Sequence, residues 1–423
     1  MAKRPLGLSK SNKAKRAKQN NGTASKEIGE SKESTPQLTL EVEEGEDPED
    51  ELVQLRALWK TYFHEERQSE QLLNGIINEC NSKLIKSDEN NSKLDTDYLA
   101  IFAFALIESI YTEDGYHSEI HELFERAKDV TTRGFSQDST NELLRLTFAD
   151  LCFTRIITEY ISQLKSGSTS LKSDSTGKEI NLYNLLKDGM NKFSLYTKDL
   201  PMTFEVLNEF GTLLELVSNF NSSRSVAEDG LDSDIEEDEE DEDEDEEKAE
   251  NNIPVSHPLY EIRTHVRDLF EWQRVKMIEL YESLKLQNNL ESESEKFKLN
   301  VVTTIGELYL KKAAAPMRKF LKLRYGDDEE NIDSDLCKES QQDAIDSIAS
   351  ALEYLRIAQD PDSTDSWVAV AEAYIDLGNV CDNESTEQEN AYGEAEKLLR
   401  KANIAAHGRY DDVLSRFLQD QAE

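Results

Sequence analysis

The chain has 423 residues, 37% of them hydrophobic and 8% aromatic, enough to bury one large or two ordinary cores once the polar segments are set aside. Its formal charge of -40 excludes a nucleic-acid binder working through a general basic surface, because an acidic surface repels phosphates and favours basic partners. No charged-then-apolar leader opens the chain, and the longest apolar run, Tyr98 to Ile110, is broken by Glu108 and too short to span a bilayer, so a soluble protein of nucleus or cytosol is expected.

Residues 1–50 carry Lys, Ser, Gly and Glu with almost no apolar pattern and read as a disordered tail. From Leu52 helical periodicity begins, with Leu52, Leu55, Leu58, Trp59 and Tyr62 on one face. Helices are predicted at 70–86, 95–112, 117–131, 139–165, 180–197 and 203–221. After an acidic break, further helices are predicted at 257–288, 295–324, 341–359, 364–379, 387–406 and 409–420. Punctuation supports these bounds: Asp138 or Ser139 is the expected cap before Glu142, Pro254 and Pro258 flank a start, and Gly115 and Gly326 follow expected ends. The expected units are the tail 1–50, a helical domain 51–221, an acidic disordered insertion 222–253 and a helical domain 254–423.

A tetratricopeptide-like spacing occurs in the C-terminal half. Trp367, Val370, Ala371, Tyr374 and Gly378 match a first helix, and Ala395, Leu399 and Ala402 match a second, with about ten surplus residues assigned to the loop between them. Upstream, Ala351, Leu355 and Ala358, ahead of Asp360-Pro361, resemble a closing helix whose partner carries Ile305, Gly306 and Tyr309. Only fragments such as Ile120, Phe124 and Ala127 recur earlier. The expected fold is all-α: a tetratricopeptide-like helical repeat array, with an irregular bundle as the alternative for the N-terminal half. Such stacking gives an extended concave face.

Catalytic patterns are lacking. His117 and His121 have a metal-compatible spacing but no third ligand nearby, so no metal is assigned. Cys80, Cys152, Cys337 and Cys381 form no close pair, which argues for a reducing compartment and small core residues. No glycine cluster suits a phosphate, no cofactor is expected, and the abundant carboxylates read as solvated faces rather than an acid/base pair. Trp59, Trp272 and Trp367 lie on apolar stripes, as core residues do.

Two charged segments stand out. Lys3, Arg4, Lys13, Lys15, Arg16 and Lys18 have the density that the acidic groove of a nuclear import receptor requires, with a nucleic-acid arm or a solubilising tail as alternatives. Glu236, Glu237, Asp238, Glu239, Glu240, Asp241, Glu242, Asp243, Glu244, Asp245, Glu246 and Glu247 form an unbroken acidic run suited to drawing in a basic protein, or to serving as a spacer. Ser233, before Asp234 and Glu236, sits where an acid-directed kinase would add charge.

Met1 to Leu8, the acidic lead into Asp50 to Phe63 (DELVQLRALWKTYF), and Leu72 to Cys80 (LLNGIINEC) resemble the fungal enhancer of translation termination family. Its relatives include the negative regulator of a prolyl-hydroxylase-like oxygenase. The resemblance implies a nuclear, non-enzymatic helical-repeat protein that supports stop-codon recognition. It also implies two partners: a 2-oxoglutarate- and iron-dependent oxygenase acting on a small-subunit ribosomal protein, and that basic protein itself. The expectation is a monomeric adaptor of the nucleus, with the cytoplasm as a second location, and with no membrane or direct nucleic-acid contact. The alternative is an assembly factor that docks a peptide or translation factor, the acidic run being incidental.

Overall fold

The computed structural model describes residues 46–420 apart from 65–66, 68, 113–116, 166, 172–176, 178, 221–252, 287–291 and 326–333. Among the described residues the chain is all-α, with no β-strand. The helices are α1 Glu51–His64, α2 Glu70–Glu89, α3 Thr96–Thr112, α4 His117–Gln137, α5 Glu142–Arg155, α6 Leu182–Lys192 and α7 Leu200–Asn219. Past the acidic segment come α8 Tyr260–Thr264, α9 Val266–Leu286, α10 Ser292–Tyr325, α11 Ser334–Ile357, α12 Thr364–Val380, α13 Thr386–Ala405 and α14 Asp411–Asp420. No helix among the described residues is long and apolar enough to cross a membrane.

Sequence dictates which faces are buried. On α1 the expected stripe is inside: Leu55, Trp59 and Tyr62 are fully buried and Leu52 and Leu58 partly so. Every residue from Tyr98 to Ile107 in α3 is buried, which explains its unbroken apolar run: a helix enclosed on all sides has no polar face to show. Trp59 sits 5.6 Å, ring centre to ring centre, from each of Tyr62, Phe63 and Phe104 and so locks α1 to α3.

Local details depart from expectation where side chains compete for backbone groups. The cap of α5 is Asn141, whose Oδ1 accepts from Leu144 N at 2.8 Å, rather than Asp138 or Ser139. Asp138 instead closes the preceding turn, accepting from Thr140 N at 2.8 Å and Thr140 Oγ1 at 2.7 Å. Beyond Arg155 the helix widens into a π turn, Ile156–Tyr160, and ends in a 3-10 turn, Ile161–Gln163. The helix expected over 257–288 is broken at His265 into α8 and α9. Gly115 and Gly326 lie outside the described residues.

The packing does not part at the acidic segment. One core gathers buried residues from Leu55 in α1 to Leu308 in α10, with Ala358 after α11, so residues on both sides of 221–252 share it. The buried Gln273 of α9 donates to Leu207 O of α7 at 2.9 Å across that sequence gap. A second core begins at Leu310, one turn at most from the last α10 residue of the first, and runs through α11, α12 and α13 to Phe417 of α14. The two cores therefore meet within α10, not at the segment where the sequence composition changes.

The residues carrying the repeat-like spacing are buried where helices meet: Ala351 and Leu355 on α11 with Ala358 in the turn after it, Trp367, Val370, Ala371 and Tyr374 on α12, Ala395, Leu399 and Ala402 on α13. Gly378 lets α13 approach, since a methyl there would come 2.3 Å from the Tyr392 ring. Only residues 381–385 separate α12 from α13, so the surplus residues expected in a loop instead lengthen the helices, with α13 starting well ahead of Ala395. Gly408, at φ +90°, ends that pair in the left-handed conformation, its N–H bonding Asn403 O at 2.9 Å.

Candidate functional site

The import-like residues Lys3, Arg4, Lys13, Lys15, Arg16 and Lys18 and the acidic run Glu236 to Glu247 lie outside the described residues. What the structure does show is how the flanks of the acidic segment are fastened. Phe220, just after α7, gives its carbonyl to Arg263 Nη1 of α8 at 3.1 Å and packs its ring 5.1 Å from His257. Ile253, His257, Leu259 and Ile262 are all buried. His257 is fixed at both nitrogens: Nε2 faces Lys165 O at 3.2 Å, and Nδ1 accepts from Leu259 N at 3.2 Å. Burial lowers its pKa, and the nearby Arg263 charge pushes the same way against the Lys165 bond. The imidazole is thus a neutral rivet at the return of the chain.

The candidate chemistry within the helices is limited. His117 heads α4, and its side chain lies outside the described residues. His121 Nδ1 pairs with Glu159 Oε1 at 2.7 Å, and Glu159 also accepts from Arg155 Nε at 2.6 Å. Arg155 reaches Glu125 as well, at 2.7 Å. This network ties α4 to the π turn, which aims Glu159 inward. Among the described residues no three His, Cys, Asp or Glu groups are placed to hold a metal. All four cysteines are buried and free, and burial pushes the Cys80 thiol up to about 12. Trp59 and Trp367 are buried, and Trp272 packs 4.8 Å from Phe210, as expected of core residues.

A second polar cluster was not legible as a site in the sequence. Arg67, in the turn after α1, grips Glu108 of α3 through Nε at 3.0 Å and Nη2 at 2.7 Å and touches Glu205 of α7 at 3.4 Å. Its guanidinium lies 4.6 Å from the centre of the Phe63 ring. Tyr62 also donates to Glu108, at 3.3 Å, and Tyr111 donates to Glu209 at 2.9 Å. Asp150 of α5 lies behind them. Burial, reinforced by Glu209 and Glu108, raises its carboxyl well above the usual range, while burial also raises Glu209.

A carboxyl with a raised pKa, Asp150, close to a second carboxyl paired with Arg67 resembles the arrangement that acid/base chemistry requires. Yet the cavity these residues enclose is only about 40 Å³, room for water but not for a substrate. The cluster acts as a polar clasp joining α1, α3, α5 and α7.

The family model described as "Nuclear pore complex subunit Nro1" matches residues 1–418. The chain belongs to the Nro1 family. Enhancer of translation termination 1 of Saccharomyces cerevisiae is 39% identical over 434 aligned residues, covering 99% of this chain and 100% of the relative. The proteins of that name from Eremothecium gossypii and Vanderwaltozyma polyspora are 36% and 37% identical, with both chains of each pair fully covered. A solved structure described as the hypoxic regulator of sterol synthesis Nro1, a nuclear import adaptor, superposes with a TM-score of 0.48 at 12% identity, covering 88% of this chain and 92% of that one. The Nro1 family description and the family resemblance read from Met1 to Cys80 point to one lineage, and the description agrees with the nuclear address expected from the basic tail.

Proposed function

We propose that this chain is a non-enzymatic nuclear adaptor that supports efficient translation termination. Its tetratricopeptide-like array holds a basic protein of the small ribosomal subunit, a 2-oxoglutarate- and iron-dependent oxygenase, or both. Full-length similarity to the enhancers of translation termination carries the reading. The acidic run Glu236 to Glu247 raises the local concentration of a basic cargo, and Lys3, Arg4, Lys13, Lys15, Arg16 and Lys18 engage an import receptor.

Two physical features support this division of labour. The residues flanking the acidic segment are pinned through Phe220, Arg263 and His257 on the first core. The polar clasp around Arg67 has no room for a substrate.

The test is affinity capture with the purified chain at low and high salt, intact and lacking Ser225 to Asn252, with mass spectrometry naming what is retained. Salt-sensitive recovery of a basic ribosomal protein that depends on the segment is the expected result. Segment-independent recovery of only neutral or acidic partners would replace it with a docking scaffold in which the acidic run is incidental.

A further inference from the structure

Beside the second core, a small separate cluster of Trp367, Ala402 and Tyr410 lies under a basic surface. On α13, Lys397, Arg400, Lys401 and Ile404 recur at three- and four-residue spacing and so share one face. With Ala405 and the edge of Trp367 they line an open groove of about 570 Å³. Ile404 is 79% exposed, one of the most exposed large apolar side chains among the described residues. Beneath it Trp367 packs with Ala402 and Tyr410, so the floor is rigid.

Three cations border that floor. Lys401 Nζ stands 3.9 Å from the Trp367 ring centre. Lys397 and Arg400 pair with Glu394 at 2.6 Å and Glu396 at 2.7 Å, their own helix neighbours. Such exposed pairs contribute little, so an incoming carboxylate exchanges with them at little cost. Arg409, beyond the helix end, lies 3.5 Å from Asp365 and over the Tyr410 ring.

An apolar floor with a cationic border, on a chain of formal charge -40, has an evident complement. We propose that this groove docks a segment of a partner protein in which an aliphatic or aromatic side chain is flanked by carboxylates. The apolar residue covers Ile404 and the exposed edge of Trp367, and the carboxylates meet Lys397, Arg400 and Lys401. The surface is distinct from the acidic run and opposite to it in charge. One chain therefore offers separate places to an acidic and a basic partner, and the groove's role does not depend on the identity of the basic cargo.

The test uses the full chain and a short fluorescein-labelled peptide carrying Leu and Phe between Asp and Glu residues, read by anisotropy. Two control peptides replace the acids with Lys, or the Leu and Phe with Ser. The acidic-apolar peptide is expected to bind most tightly. Ile404→Ser and Arg400→Glu, both at exposed positions, are each expected to weaken it by about tenfold with an unchanged circular dichroism spectrum and Tm.

Equal affinity for the acid-only peptide, or full affinity in both variants, would overturn the proposal. So would binding that appears only once Ser225 to Asn252 is removed, since the groove would then belong to the chain's own acids. Dimerisation in sedimentation that Ile404→Ser abolishes would assign the groove to a second copy and overturn it equally.

Discussion

Arg67 and Glu108, 41 residues apart, face each other through two parallel hydrogen bonds of 3.0 and 2.7 Å. The Glu108 side chain is 6% exposed and that of Arg67 41%, so the pair sits at the lip of the first core with its acid inside. Paired forks of this kind fix geometry as well as charge. Removing only the arginine leaves a buried carboxylate facing Glu205, Glu209 and Asp150. Arg67→Ala is expected to lower the stability of the first core by about 3 kcal/mol, measured by urea denaturation. Arg67→Ala combined with Glu108→Gln should recover part of that loss, because the uncompensated charge is then gone.

Asp150 is buried behind the clasp with a raised pKa. An acid whose folded pKa lies above its unfolded value keeps its proton longer in the folded state. Its contribution to stability is therefore full below the ordinary pKa of 3.8 and lost as pH rises through the folded value. Asp150→Asn, which keeps the shape without the proton, is expected to raise Tm at pH 7.5, with the gain shrinking toward pH 4. A gain independent of pH would mean that the carboxyl is not the titrating group.

His257 has the opposite sense. Its folded pKa is lowered, so the unfolded state takes up a proton first, and stability falls as pH drops below about 6.5, the ordinary histidine value. Protonation at Nδ1 would also forfeit the bond from Leu259 N. Hydrogen exchange at Leu259 and Ile262 is expected to quicken between pH 7 and pH 5.5, beyond the intrinsic change in exchange rate. His257→Gln should remove that acceleration.

Glycines on the last helix pair give a paired comparison. Gly378→Ala would drive a methyl to 2.3 Å from the Tyr392 ring, and the resulting shift is expected to cost about 1–3 kcal/mol in thermal denaturation. Gly393 lies in α13 with nothing within 4 Å of an added Cβ. Gly393→Ala is expected to stabilise by up to about 1 kcal/mol through helix propensity alone.

Much of this architecture was legible before any coordinates. Periodicity placed α2, α3, α7, α10 and α12 to α14 within three residues at each end and missed single ends of α4, α5, α6 and α11 by more, since apolar stripes such as Leu55, Trp59 and Tyr62 report which face is buried but not where a helix stops. Glu108 inside the apolar run of α3 was a signal too: a charge among buried residues needs a partner. Periodicity could not say that the partner would be Arg67, because the pairing depends on how α1 turns into α2. Composition likewise misplaced the division between cores. A run of acids marks a change in solvation, whereas residues from both sides of it in sequence pack together, as Gln273 and Leu207 do. The surplus residues between Gly378 and Ala395 showed only as length, and whether length becomes loop or helix is decided by contacts such as Tyr392 on Gly378. The segments with the plainest charge signals, the basic tail and the acidic run, fall outside the described residues.

The 34-residue α10 belongs to both cores at once, seating Val301, Ile305 and Leu308 in the first and Leu310, Ala313 and Phe320 in the second, with Tyr309 against both. It works as a common axle. A rotation or slip of this rod imposed by a partner at one end must displace side chains at the other, because there is no slack peptide between the two cores to absorb it. Cargo held on the first core and a partner seated beside Trp367 would then feel each other as torque along one shaft.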